Sequence, residues 1–324
     1  MKTLFMKFVR GCYCKITGET YPSPWKYPDR KDRIYANKII MDGLVSDKPF
    51  MVGRVGTTEG NVVNNYLTVH GKDSFVTKLK NYVVDNTRLP WWDTGRPFTD
   101  MQICSGFFSS PSVGISQIER FCEIYLEGIK NMDVCGRFMY NEKFYPFKED
   151  CKFVQLEALY PFFVDNPWMT ALKGKKVVVV HPFKESILSQ YEKRKSLFQN
   201  PDVLPDFDLQ VIKAVQTIAG EKSEYKDWFD ALDSMKEALE KTDFDVAILG
   251  CGAYGLPLAS HVKNMGKKAV HMGGGTQLMF GIKGKRWELY QDPSYRNLFN
   301  EHWVYPGEAE KPKNAKKVEG ACYW

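Results

Sequence analysis

The chain is 324 residues long, near the upper limit for one hydrophobic core, with 44% apolar residues, 26% charged residues and a formal net charge of +6. This composition excludes a disordered or low-complexity chain, and a thin spread of basic residues without interleaved aromatics argues against nucleic acid as a partner. No apolar run approaches the roughly 20 residues that span a bilayer.

In chain order, "MKTLFMKFVRGCYCK" comes first, and Lys7 and Arg10 interrupt it before a signal-peptide core forms, which predicts a cytoplasmic protein. Eight cysteines, at 12, 14, 104, 122, 135, 151, 251 and 322, carry no C-x-x-C spacing and fall in apparent core segments, as reduced packing thiols do. Residues 1–30 read as an irregular extension and residues 305–324 as a basic tail. Nothing between them marks a linker or a repeat, so 1–324 is expected to be one domain. The aromatic and basic ends, "MKTLFMKFVR" and "NAKKVEGACYW", suit peripheral contact with the anionic inner face of a membrane.

Short β-branched runs recur at 49–55, 133–139, 175–181, 244–250 and 268–273, each followed by a helical pattern. Strands alternating with helices predict a Rossmann-like α/β fold, a mainly parallel sheet with helices on both faces. Two helices are plain from their periodicity. "GISQIERFCEIYLEGIKNM" aligns Ile115, Ile118, Phe121, Cys122, Ile124, Tyr125 and Ile129, and "DWFDALDSMKEALEKTD" aligns Trp228, Leu232, Met235 and Leu239. Open parallel sheets bind ligands at the carboxyl ends of their strands, which directs attention to the loops after 55, 181, 250 and 273.

The first of these loops, "GRVGTTEGN" (53–61), offers Arg54 beside a helix start at Thr57 and Thr58, with Glu59 in the first turn. A guanidinium there suits a diphosphate, and a capped helix start accounts for the rest. "LPWWDTGRPF" (89–98) sets Trp91 and Trp92 next to Asp93 and Arg96, as a sugar platform or as packing, and "NPWMTALKGKK" (166–176) reads the same two ways. His181 and Pro182 end the third strand, where the imidazole is either a general base or a satisfied structural histidine. Ser186, Gln190 and Arg194 follow on one helical face that lines a cleft or meets solvent.

The last loops belong to "DVAILGCGAYGLPLASHVKNMGKKAVHMGGG" (245–275), where Gly250-Cys-Gly252-Ala-Tyr-Gly255 fits the G-x-G-x-x-G pattern. Such a turn brings backbone N–H groups and a helix start up to a phosphate, or lets a strand and helix pack closely. A dinucleotide site adds an acid about 20 residues on. His271 and three glycines stand there instead, and the motif comes late in the chain.

No P-loop, H-E-x-x-H, G-x-S-x-G or zinc-type Cys/His spacing occurs. With these loops in view, the chain resembles the bacterial GT-D-fold glycosyltransferases that build surface glycans and glycosylate adhesins. "FMVGRVGTTEG" (50–60) is similar to that family's R-F-G-D-G-E motif, and "FDVAILGCGAYGLPLASHVKNMGKKAVHMGG" (244–274) to its later strand-turn-helix-strand. "KGKKVVVVHPFKESI" with the following Gln190 to Arg194, and "HMGGGTQLMFGIKGKRW" (271–287), look like a branch from capsule or exopolysaccharide clusters.

The resemblance implies transfer of a sugar from a nucleoside-diphosphate donor, a UDP-sugar favoured, to a surface-glycan or lipid-linked acceptor. It carries over Arg54, Gly56 and Glu59. Thr57 replaces the first acid of the family's D-x-E, which leaves Glu59 as the single carboxylate for Mn²⁺ or Mg²⁺. On this reading Arg54 and the turn Gly252, Ala253, Tyr254 and Gly255 neutralise the leaving diphosphate. Gly56, Thr57, Thr58, Ser186, Gln190, His271 and Gly273 complete the nucleotide-sugar site, and Glu59, His181 or Glu185 takes the acceptor proton. Two other functions use the same turn: an NAD(P)-dependent sugar-nucleotide oxidoreductase, and a non-catalytic sugar-nucleotide-binding protein.

Overall fold

The computed structural model describes residues 2–19, 33–85, 87–109, 113–290 and 292–324. Seven parallel strands form one sheet: β1 (Phe50–Gly53), β2 (Val134–Arg137), β3 (Lys152–Gln155), β4 (Lys176–His181), β5 (Asp208–Lys213), β6 (Val246–Leu249) and β7 (Lys268–His271), in the order β3-β2-β1-β7-β6-β4-β5. The chain steps from β1 outward to β3, crosses to β4 and β5 at the far edge, and returns to fill the centre with β6 and β7. Register is set across the centre by pairs such as Val178 with Ala247 and Val52 with Val270.

The helices are α1 (Lys2–Thr17), α2 (Arg33–Val45), α3 (Thr57–His70), α4 (Phe75–Val84), α5 (Arg96–Ile103), α6 (Ile115–Asn131), α7 (Lys184–Glu192), the short α8 (Arg194–Leu197), α9 (Trp228–Glu240), α10 (Gly255–Asn264) and the short α11 (Lys285–Glu288). Alternate strand residues divide the core into two. Val177, Val179, Val246 and Ile248 meet α2 and Ile187 of α7, while Val178, Val180, Ala247 and Leu249 meet α3, α6, α9 and α10. A strand buried on both faces gains from apolar residues at every position, which is why β4 reads as an unbroken valine run. The apolar faces expected of α6 and α9 are buried, except that Ile115 is exposed and Ile124 half-buried.

Both ends of the chain differ from expectation. The extension read as irregular holds α1 over Lys2–Thr17, packed on α4, with Arg10 Nε donating to the Tyr82 carbonyl at 2.7 Å; residues 20–30 lie outside the described residues. The 305–324 segment is folded onto the body rather than solvated, with Val318, Ala321 and Trp324 in the core beside the sheet. Its anchor is the buried Glu310, whose carboxylate accepts from the backbone N–H of Glu185 at 2.8 Å and from the Ser186 hydroxyl, closing the start of α7. Among the described residues, no helix is long and apolar enough to cross a membrane.

The third glycine of the turn is explained by packing. Where a Cβ on Gly255 would stand, the ring of His271 already lies, because α10 is seated directly on the end of β7. Gly255→Ala is therefore expected to destabilise the fold by about 1–3 kcal/mol through overpacking, read as a lowered denaturant midpoint at unchanged slope. The same change made in a His271→Ala background should cost less, and a double-mutant cycle measures that coupling.

Candidate functional site

The carboxyl ends of the four central strands β1, β7, β6 and β4 open on a single cleft of ≈ 180 Å³. Arg54 follows β1 directly, and Gly56 precedes the first turn of α3, so Thr57, Thr58 and Glu59 reach the cleft together. His181 ends β4, Gly250 and Gly252 follow β6, and Gly273 follows β7. All four loops named from the sequence converge here. Gly252 adopts the left-handed region with φ 57°, which a side chain there would disfavour.

Glu59 is buried, and its carboxylate folds back over the Cα of Gly56 into the space a Cβ would fill. Burial raises its carboxyl above the usual range, opposed by a backbone N–H, the Arg54 charge and Ser105. The Arg54 guanidinium lies over the Phe138 ring at 4.8 Å, and its Nε is buried without a hydrogen-bond partner. Nη1 of the same group is 3.2 Å from where a Cβ of Gly273 would stand, so the glycine admits the cation to the cleft wall.

His181 is buried, its Nδ1 accepts from the Phe183 N–H at 3.0 Å, and burial pushes its pKa down to about 3. The ring is thus neutral with its proton on Nε2, which makes it a hydrogen-bond donor to the cleft and unsuited to act as the base. A second guanidinium, Arg286 of α11, stands on the cleft wall; it pairs with Glu319 and donates to the Tyr323 hydroxyl at 3.0 Å.

Of the residues named from the sequence, the cleft gathers Arg54, Gly56, Thr57, Thr58, Glu59, His181, Gly252, Tyr254 and Gly273. Others stand away from it for clear reasons. His271 is buried beneath Gly255, with Nδ1 on the Leu249 carbonyl at 3.1 Å and a pKa lowered by burial to about 3, so it is a structural histidine. Gly255 and Ala253 pack on the core side of the turn. Ser186 and the backbone of Glu185 are held by Glu310, and Gln190 donates to the Gly281 carbonyl at 3.0 Å and to the His302 carbonyl at 2.9 Å.

The tryptophans are packing residues. Trp91 donates to Thr3 of α1 at 3.0 Å, Trp92 to Glu119 of α6 at 3.1 Å, and Trp168 is fully buried with its N–H on the Leu159 carbonyl. Among the described residues, no group of three or more His, Cys, Asp or Glu side chains is placed to hold a metal ion. Of the carboxylates on the cleft wall, Glu319 is engaged by Arg286 and Glu59 is turned onto Gly56, so these residues do not fit a hard divalent cation.

Sequence reasoning missed several walls of the cleft: Ser105 and Gly106 after α5, Thr217 and Ile218 after β5, Gln277, Arg286 and the 318–324 segment. Gln277 and Arg286 left a trace inside "HMGGGTQLMFGIKGKRW", and residues 318–324 inside "NAKKVEGACYW", which reads from the sequence as a tail. Comparisons with protein-family models, with curated proteins and with solved structures find no match for this chain, so the reading of the cleft rests on its own geometry.

Proposed function

We propose that the chain is a glycosyltransferase that moves a sugar from a nucleoside-diphosphate donor, a UDP-sugar favoured, to a hydroxyl of a surface-glycan or lipid-linked acceptor. One observation carries the reading: two guanidiniums, Arg54 and Arg286, and a buried carboxylate of raised proton affinity, Glu59, share one cleft at the carboxyl edge of a parallel sheet. In the transfer, the acceptor oxygen bonds to the anomeric carbon as the bond from that carbon to the diphosphate oxygen breaks. The acceptor proton passes to Glu59, and the departing diphosphate keeps the electron pair. Arg54 and Arg286 neutralise the charge that develops on it, and His181 Nε2–H donates to the bound donor.

The buried His271 at the end of β7 leaves no carboxylate there for a dinucleotide ribose, which disfavours the oxidoreductase reading. The deciding experiment is a thermal-stability screen of the purified chain against UDP, GDP, CMP and dTDP sugars, NAD and NADP, with and without Mn²⁺. A ligand at 100 times its Kd adds about 2.7 kcal/mol. One nucleoside-diphosphate series is expected to raise the midpoint, and Arg54→Ala and Arg286→Ala should each abolish that rise. Stabilisation by NAD or NADP alone would overturn the proposal.

Glu59 gives a second test with opposite effects on stability and turnover. Its folded-state pKa is raised, so the stability it contributes is present below its unfolded pKa and is lost as pH rises through the folded one. Glu59→Gln is uncharged throughout, and it should fold more stably than the parent at neutral pH while losing turnover by a factor of about 10²–10⁴, the usual contribution of a general base. The parent's rate should fall as pH drops through the raised pKa of Glu59, and the variant should lack that limb.

Gly56→Ala tests the same carboxylate from the backbone side. Gly56 has φ −68°, open to any residue, and the atoms nearest to an added methyl are all of the Glu59 carboxylate. Turnover is expected to fall with donor-induced stabilisation retained, measured by release of nucleoside diphosphate and by the thermal midpoint.

A further inference from the structure

The face of α1 turned away from the body is apolar and, among the described residues, unpartnered. Leu4 is 75% exposed, Phe5 63% and Phe8 68%, and no residue of α1 is buried. At 3.6 residues per turn, Leu4, Phe5, Phe8 and Ile16 fall on one side of the helix, with Lys15 in line and Lys2 and Lys7 at its flanks. Lys2, Leu4, Phe5, Lys7 and Phe8 together line one shallow hollow. The opposite side is fixed to the protein: Thr3 accepts from the Trp91 indole at 3.0 Å, and Arg10 donates to the Tyr82 carbonyl at 2.7 Å and to the Thr87 carbonyl at 2.8 Å. Phe75, 57% exposed at the start of α4, has its ring 6.4 Å from that of Trp91 and extends the apolar surface beside α1.

We propose that this face of α1 is a docking surface for a bilayer rich in anionic phospholipid. The charge pattern selects that occupant: α1 carries Lys2, Lys7 and Lys15 on or beside its exposed face, Lys7 also 3.9 Å from Asp93, and no acidic residue. Exposed phenylalanine and leucine between lysines is the arrangement that lies in a headgroup layer, with apolar side chains below and ammonium groups at the phosphates. A helix of 16 residues, about 24 Å long, lies on such a surface and is too short to cross it. The bonds of Thr3 and Arg10 hold the apolar face outward in advance of contact. This inference stands independently of the transferase reading, since none of its residues lines the cleft.

The test is co-sedimentation of the purified full chain with vesicles of equal parts phosphatidylglycerol and phosphatidylcholine, and with vesicles of phosphatidylcholine alone. Binding to the anionic vesicles is expected, weaker by about tenfold on the zwitterionic ones and weakened by added salt. Phe5→Ser with Phe8→Ser should lower binding about tenfold, and Lys2→Glu with Lys15→Glu by at least about fivefold per lysine. All four side chains are exposed, so the variants should keep the parent's circular dichroism and thermal midpoint, which separates lost docking from lost folding. Failure of the parent chain to sediment, or equal sedimentation of the Phe5/Phe8 variant, would overturn the proposal. So would a concentration-dependent dimer that dissociates in that variant and ignores vesicles, because the face would then be covered by a second copy.

Discussion

The cleft depends on close approach between backbone and large side chains at the carboxyl edge of the sheet. Gly255 lets α10 sit on the His271 ring, and Gly250 lets the His181 ring pass within 2.5 Å of where its own Cβ would be. The run after β7 repeats the device, with Arg54 against Gly273 and Tyr323 against Gly274. A methyl group at these points would push a strand, a helix or a cation out of place, since interiors packed to crystal density have no slack to absorb it. The glycine-rich letters are thus chiefly a statement about thickness. They bring β6, β7 and the 318–324 segment close enough to share one cleft with β1.

Burial then sorts the titratable groups by sign. Desolvation disfavours the charged form of every ionisable side chain, so it lowers the two buried histidines and raises Glu59. The histidines become neutral, hydrogen-bonded fixtures, whereas the carboxylate becomes a stronger proton acceptor. Turned onto Gly56 with Arg54 nearby, Glu59 is held in a state that costs stability near neutral pH. Such a cost is ordinary where a group is needed for chemistry and unusual where it serves packing alone.

Much of this was legible in the sequence, because the central strands are apolar at every position and the loops that follow them carry glycine, arginine and histidine. The valine run of β4 and the stretch from 244 to 250 declared a parallel sheet, and the four loop positions derived from it all reach the cleft. The edge strands β3 and β5 were not legible. "KFVQ" and "DLQVIK" are half-exposed, so they lack an apolar run or a clean alternation. Ser186 and Gln190 were misplaced because sequence gives the face a residue occupies but not the partner that reaches it from far along the chain, and His271 because the turn's third glycine does not announce the ring it packs upon. Glu310 lies 124 residues from Ser186, and the Gly281 carbonyl lies 91 from Gln190.

That distant carboxylate also explains why side chains, and not helix starts, supply the positive charge of the cleft. A helix N-terminus offers partial positive charge to an anion, and three helices begin near the carboxyl ends of β1, β4 and β6. The start of α7 is filled by Glu310, which accepts from the N–H groups of Glu185 and Ser186. The first turn of α3 contains the carboxylate of Glu59, and the start of α10 is pressed onto His271. With carboxylates at the starts of α7 and α3 and α10 closed by packing, the positive charge on the cleft wall comes from guanidinium groups, and on the proposed reading these are the counter-charge for a diphosphate. Arg54 reaches the cleft from the first strand and Arg286 from beyond the last, so bringing the two guanidiniums to one wall requires that the chain be folded from both ends toward its middle.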